Sequence, residues 1–170
     1  PMQETTYVGP MSSTQQRETL QKQVQESIDK GAKVAYSSDV DDSLPKEGAY
    51  QPLVILENIS EDQPAYKDEL FGPVASLIRA KDEKDAFRIA NDSRYGLGGG
   101  VFSKDEDKAI RLATKYFDTG MIYINGYSLV QPGLPFGGVK DSGFGREHGG
   151  FGIKEFINIK ALHVVGKAPA

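Results

Sequence analysis

Residues 74–125 constrain the fold of this chain most strongly, because their hydrophobic period changes four times in fifty residues. Val74, Ala75, Leu77 and Ile78 begin an apolar strand that runs to residue 80. Residues 82–91 follow with a capping-box-like Asp82 and Asp85 and an apolar stripe at Ala86, Ile89 and Ala90, which predicts a helix. Residues 100–103 return to a strand pattern. Residues 104–117 carry Ala109, Ile110, Leu112, Ala113 and Phe117 in a second helical pattern, and residues 120–125 form a third apolar run. Strand, helix, strand, helix, strand with continuously apolar strands predicts a parallel sheet covered on both faces. In such sheets ligands sit beyond the carboxyl ends of the strands, and Asn125 with the loop after it lies at one.

The flanking sequence extends this α/β pattern. Residues 12–30 predict an amphipathic helix: Ser13 and Gln16 make a capping box, Leu20, Val24 and Ile28 recur four apart, and Gly31 is a natural stop. Residues 33–36 make a short strand. The polar stretch 37–48, with Asp39, Asp41 and Asp42, lacks the spacing and the final glutamate of a calcium loop and predicts a solvated connection. Residues 50–59 read as a buried strand with Pro52 near its beginning, and residues 153–165 as a short helix start followed by a strand over 159–165. The expected fold class is α/β, a mostly parallel sheet flanked by helices, with 167–170 as a frayed tail.

Composition removes whole classes of function. At 170 residues, 38% hydrophobic and 26% charged, the chain has the makeup of a globular domain with a sizeable core. A net charge of −4 without a basic cluster argues against nucleic acid as a partner. No apolar run approaches a membrane span, and no signal-peptide pattern is present. With no cysteine there is no disulfide, thiolate metal site or cysteine nucleophile in these residues. Two histidines exclude a histidine-rich metal site. The opening residue Pro1 in place of methionine suggests a piece of a longer protein.

Three stretches invite a chemical reading. In Glu69-Leu70-Phe71-Gly72-Pro73-Val74, Pro73 fixes its own φ and keeps Gly72 out of helical space. Residues two apart on extended backbone share a face, so Glu69 and Phe71 are placed to meet a nucleoside, the carboxylate on ribose hydroxyls and the ring on the base. The plainer reading of these six residues is a turn with a surface glutamate and a core phenylalanine. Glycines 96, 98, 99 and 100 resemble a phosphate cradle, but a helix precedes and a strand follows, the reverse of the dinucleotide fingerprint; they read as a helix-to-strand turn. Residues 125–152 hold nine of the nineteen glycines together with Phe136, Phe144, Lys140 and Arg146. Two aromatics favour an ordered loop, and the spacing is equally that of an active-site loop and of an interface loop. His163 alternates with apolar neighbours as a strand side chain, and His148 lies in the glycine loop without a spaced partner; both read as structural.

These segments together resemble the NAD(P)-dependent aldehyde dehydrogenases, succinate-semialdehyde dehydrogenase-like branch. The resemblance rests on Glu69-Leu70-Phe71-Gly72-Pro73-Val74, Asn91-Asp92-Ser93-Arg94-Tyr95-Gly96-Leu97, Ile124-Asn125, Pro135-Phe136-Gly137-Gly138-Val139-Lys140 and Ser142-Gly143-Phe144-Gly145-Arg146-Glu147. The start through Val8-Gly9-Pro10-Met11 is similar too, so the likeness covers essentially the whole chain, as the C-terminal third of such an enzyme. It implies that residues 1–166 are a partial catalytic domain, incomplete at its N-terminal side.

The family reaction implied is oxidation of an aldehyde to a carboxylate with NAD or NADP. A cysteine thiolate attacks the carbonyl, hydride passes to the nicotinamide, and a glutamate-activated water hydrolyses the thioester, with an asparagine and a backbone N–H on the oxyanion. The resemblance places the cysteine, the glutamate and that asparagine upstream, so no catalytic residue is expected here and the 170 residues alone are expected to be inactive. It assigns Glu69 to the nicotinamide-ribose hydroxyls, Phe71 to the nicotinamide ring, and residues 125–136 to the border of the aldehyde entrance, with Phe136 foremost. Where one semialdehyde branch carries a serine before Pro-Phe-Gly-Gly, this chain has Val130, with Ser128 nearby. A cytoplasmic homo-oligomer (dimer or tetramer) without metal is implied, acting on succinate semialdehyde or a similar aliphatic aldehyde. The rival readings are a non-catalytic assembly module of the same fold and an acyl-phosphate reductase.

Overall fold

The computed structural model describes residues 4–41, 43–127 and 130–166. Two compact units, Pro1–Lys81 and Asp82–Ala170, each contain their own sheet.

In the first unit, α1 (Thr14–Asp29) starts where the cap predicts: Ser13 is extended and its Oγ accepts from the Gln16 amide at 3.1 Å. Only half of the capping box forms, because the Gln16 side chain donates to the Phe71 carbonyl (3.3 Å). Gly31, at φ +103, donates to the Ile28 carbonyl and ends the helix. β1 (Lys33–Ser37) pairs antiparallel with β2 (Val54–Glu57), which pairs parallel with β3 (Val74–Ser76); between them lies the single turn α2 (Pro64–Lys67). Val54, Leu56 and Ala65 form the core, with Val24, Ile28, Ile59, Leu70 and Val74 packed on it. Two buried polar residues join this core to the backbone: the Ser27 hydroxyl donates to Gln23 O and accepts from the Ala65 amide, and Gln63 donates to Lys30 O.

Two strands are shorter than expected. The run 50–59 narrows to Val54–Glu57 because Pro52 has no N–H to donate and Asn58 adopts φ +58. The run 74–80 narrows to Val74–Ser76, since β2 ends beside it. Burial along β2 alternates rather than being continuous: Val54 and Leu56 face inward and Ile55 is exposed.

The second unit follows the predicted order, α3 (Glu83–Asn91), β4 (Gly98–Val101), α4 (Glu106–Tyr116) and β5 (Met121–Ile124), with β4 and β5 parallel from Gly98↔Met121 to Val101↔Ile124. Asp82 and Asp105 cap the two helices by accepting from Asp85 N and Lys108 N. The strand expected over 100–103 starts two residues earlier, so glycines 98–100 belong to the sheet. Gly99 explains this: a Cβ there would overlap the Phe117 ring, so a bare backbone lets that ring lie on the strand. The glycine loop contains the 3-10 turns η1 (Lys140–Ser142) and η2 (Gly152–Phe156). The strand expected over 159–165 does not form: a strand requires a paired edge, none among the described residues takes it up, and Ile159, Leu162, Val164 and Val165 are exposed. His163 is therefore an exposed side chain on irregular backbone. The α/β class with parallel pairs stands, but the three strands of 74–125 do not share one sheet: β3 pairs with β2, and β4 pairs with β5. Among the described residues no helix is long and apolar enough to cross a membrane.

Leu56 is 0% exposed at the centre of the first core. Leu56→Ala is expected to lower the unfolding free energy by about 2–5 kcal/mol in a urea titration; a loss below about 1 kcal/mol would contradict this packing.

Candidate functional site

In the first unit, the Glu69–Pro73 segment is bound at three points. Leu70 packs on the core, the Phe71 carbonyl accepts from Gln16, and the Pro73 carbonyl accepts from Val54 N at 3.0 Å. Gly72 passes so close to α1 that a Cβ would meet Met11 Cε at 3.0 Å and overlap Leu20. The hydrogen bonds from Gly72 N to Leu70 O (2.7 Å) and from Val74 N to Gly72 O (2.8 Å) fold it into two successive tight turns. With Leu70 inward, both neighbours turn outward: Glu69 is exposed and Phe71 is 66% exposed. The core phenylalanine of the plainer reading is excluded. A carboxylate and an apolar ring on one anchored edge can accept from a pair of hydroxyls and stack on a flat heterocycle, so these residues fit a nicotinamide riboside.

In the second unit, Asn125 ends β5 at φ +53, its amide bonded to Val101 O and its Oδ1 accepting from Ser103 N at 2.7 Å. Phe136, half-buried, exchanges both backbone hydrogen bonds with Glu147 (2.8 and 2.7 Å). The His148 ring meets it edge-on with centroids 6.3 Å apart. His148, read from sequence as structural, thus touches the residue expected at the aldehyde entrance. Val130 is exposed, and Ser128 lies outside the described residues.

The glycine loop is ordered by partners distant in sequence. Gly96 is buried; its carbonyl accepts from Gly120 N (3.0 Å) and Val139 N (2.9 Å), and its amide donates to Ser142 Oγ (2.9 Å). Arg146 donates to the Gly138 and Gly145 carbonyls. The Lys140 ammonium donates to Asn91 O and Ser93 O. Motif spacing reveals neither the meeting of Lys140 with Asn91 nor that of Ser142 with Gly96. Gly120, in none of those motifs, lies so close to the Gly137 carbonyl that a Cβ would overlap it.

Other candidates recede. Asp41 and Asp62 are held below the ordinary carboxylate range by Ser43 and by the Ser60 hydroxyl, in solvated turns. Among the described residues no group of three or more His, Cys, Asp or Glu side chains is placed to hold a metal. A cavity of about 410 Å³ between α3, β4 and α4 is lined mainly by apolar groups, including Phe87, Phe102, Leu112 and Phe117.

The sequence profile of the Aldehyde dehydrogenase family matches residues 1–162. The chain is 47% identical over 162 residues to a succinate-semialdehyde dehydrogenase [NADP(+)] of Deinococcus radiodurans, covering 95% of this chain and 33% of that protein. It is 37% identical to the succinate semialdehyde dehydrogenase [NAD(P)+] Sad of Escherichia coli K12, covering 95% of this chain and 34% of that one. Among solved structures, succinic semialdehyde dehydrogenase from Streptococcus pyogenes in complex with NADP+ superposes with a TM-score of 0.89 at 35% identity, over 96% of this chain and 35% of that one. A Mycobacterium tuberculosis aldehyde dehydrogenase complexed with NAD+ gives 0.81 at 35% identity, over 88% and 30%. The chain thus spans about a third of the length of these relatives.

Gly120→Ala is expected to destabilise by about 1–3 kcal/mol, as overpacking does, seen as a lowered thermal midpoint. Gly133→Ala, at a site with nothing within 4 Å, is the control and should stay near the parent value. Equal midpoints for the two variants would contradict the close approach of Gly120 to the loop.

Proposed function

The chain belongs to the aldehyde dehydrogenase family, and on that premise we propose that it carries the nicotinamide-facing and substrate-entrance parts of an enzyme oxidising an aldehyde to a carboxylate with NAD or NADP. The names of the relatives favour succinate semialdehyde or a similar aliphatic aldehyde as substrate.

One observation carries the cofactor half. Leu70 is held in the core, so Glu69 and Phe71 present a carboxylate and a ring from the same anchored edge. Glu69 would accept from the hydroxyls of the nicotinamide ribose, and Phe71 would offer its ring to the nicotinamide. When bound, the nicotinamide supplies the hydride acceptor. With Phe71 O held by Gln16 and Pro73 O by Val54 N, this edge needs little reorganisation on binding, which favours a fixed ring position.

For the aldehyde half, Phe136 supplies an apolar wall, and Val130 and Ser128 belong to the same loop. Within these residues there is no cysteine. In this reading the attacking thiolate, which forms the thioester, comes from outside them, as do the base and the oxyanion donors. By themselves the 170 residues would have no dehydrogenase activity. The apolar side chains left exposed at Ile153, Phe156, Ile159, Leu162 and Val165 support burial against further polypeptide, as in the homo-oligomer of this reading.

In an enzyme containing this chain, Glu69→Gln is expected to lower kcat/KM for the cofactor by about tenfold or more, the scale of one charge-assisted hydrogen bond. Steady-state kinetics with varied cofactor checks this, and unchanged constants would remove Glu69 from the site. Aldehyde-dependent reduction of NAD or NADP by the purified 170-residue chain would contradict the assignment of the nucleophile.

A further inference from the structure

Lys140 is the charged side chain in the glycine loop whose setting the proposed function leaves unexplained. It is the first residue of η1 and adopts φ +54, an uncommon conformation for a residue with a Cβ. Its ammonium donates to Asn91 O at 2.8 Å and to Ser93 O at 3.1 Å, and stands 3.5 Å from an Asp118 carboxylate oxygen. The side chain is 24% exposed.

The place is chosen by electrostatics. α3 ends at Asn91 and α4 at Tyr116. The Asn91 side chain ties these two ends together, its Nδ2 donating to Tyr116 O (2.6 Å) and its Oδ1 accepting from Asp118 N (2.9 Å). Helix C-termini present carbonyls without intrahelical partners and the negative end of the macrodipole. Two such ends and the Asp118 carboxylate converge here, and Lys140 is the cation that meets them. The loop leaving Lys140 is short. Val139 bonds Gly96 O, Asp141 N bonds Arg94 O (2.9 Å), and Phe136 lies four residues back, joined to Glu147.

We propose that Lys140 is a positioning residue for the aldehyde site: its ammonium, seated on the joined ends of α3 and α4, sets where the glycine loop lies and thereby where Phe136 stands. This rests on the reading of Phe136 as a wall of the aldehyde entrance. Lys140 touches neither substrate nor cofactor in this account. It acts on aldehyde binding through the loop and leaves the Glu69 edge, in the other unit, untouched.

The test uses an enzyme containing this chain with Lys140→Met, Lys140→Arg and Asp118→Asn. Lys140→Met is expected to raise KM for the aldehyde about tenfold, the scale of hydrogen bonds to a charged group, with KM for the cofactor within about twofold. Lys140→Arg retains the charge and should recover most of the loss. Asp118→Asn keeps both carbonyl contacts and should raise the aldehyde KM by only about two- to threefold, which keeps the test open if Lys140→Met does not fold. An unchanged aldehyde KM in the folded variants, an equal rise in both constants, or a lowered thermal midpoint with unchanged kinetics would each overturn the proposal. A separate readout stands apart from catalysis: in Lys140→Met, or in Asp118→Asn if the methionine variant does not fold, the Val139 and Asp141 amides should exchange hydrogen faster than in the parent. If the parent enzyme oxidises no aldehyde, the proposed function fails on its own, and unchanged exchange at these two amides would overturn the seating itself.

Discussion

The backbone of Gly96 joins the second unit. Its carbonyl uses both lone pairs, one on Gly120 N before β5 and one on Val139 N in the glycine loop, while its amide is held by Ser142 Oγ. A side chain here would meet the Val139 side chain and the Asp118 carbonyl. Three segments that are remote in sequence thus meet at the backbone of one residue. The glycine-rich region 135–147 is ordered by these bonds although it has little side-chain mass to pack. Arg146 and Lys140 complete the arrangement from within that region, each by donating to main-chain carbonyls.

The first unit solves a different problem. Its core is small, so each buried polar group needs a partner, and Ser27 and Gln63 provide links from α1 and its C-terminal end to the segment around α2. The Glu69–Pro73 turn is attached to that core by Leu70 and by two of its own carbonyls. An exposed carboxylate and an exposed ring held on a bound edge cost less entropy to fix on a ligand than the same pair on a loose loop. That economy is the physical basis for reading this edge as the grip on a nicotinamide riboside.

Much of this was legible in the sequence. Ser13 and Asp82 mark helix starts through local hydrogen bonds, which spacing reveals, and the alternation over 74–125 gives the element order. The two-residue period places Glu69 and Phe71 on one side, while their outward placement depends on Leu70 packing on the core. What was hidden depended on contacts at a distance. Residues 159–165 have a strand pattern but no paired edge, and a pattern does not report its partner. Glycines 98–100 read as a turn because nothing near them in sequence reveals the Phe117 ring that lies on Gly99. The meeting of Lys140 with Asn91 joins residues 49 positions apart, and no periodicity encodes it. Ser128, one of the expected substrate-side residues, lies outside the described residues, and Val130 is exposed.

The central claim is that one anchored edge, Glu69 with Phe71, grips the nicotinamide end of the cofactor. A crystal structure of an enzyme containing this chain, bound to NADP+ or NAD+, measures it most directly. The account predicts both hydroxyls of the nicotinamide ribose within about 2.5–3.0 Å of the Glu69 carboxylate oxygens, with the nicotinamide ring against Phe71. A fully ordered cofactor whose nicotinamide riboside contacts neither residue, with Glu69 left facing solvent, would contradict it.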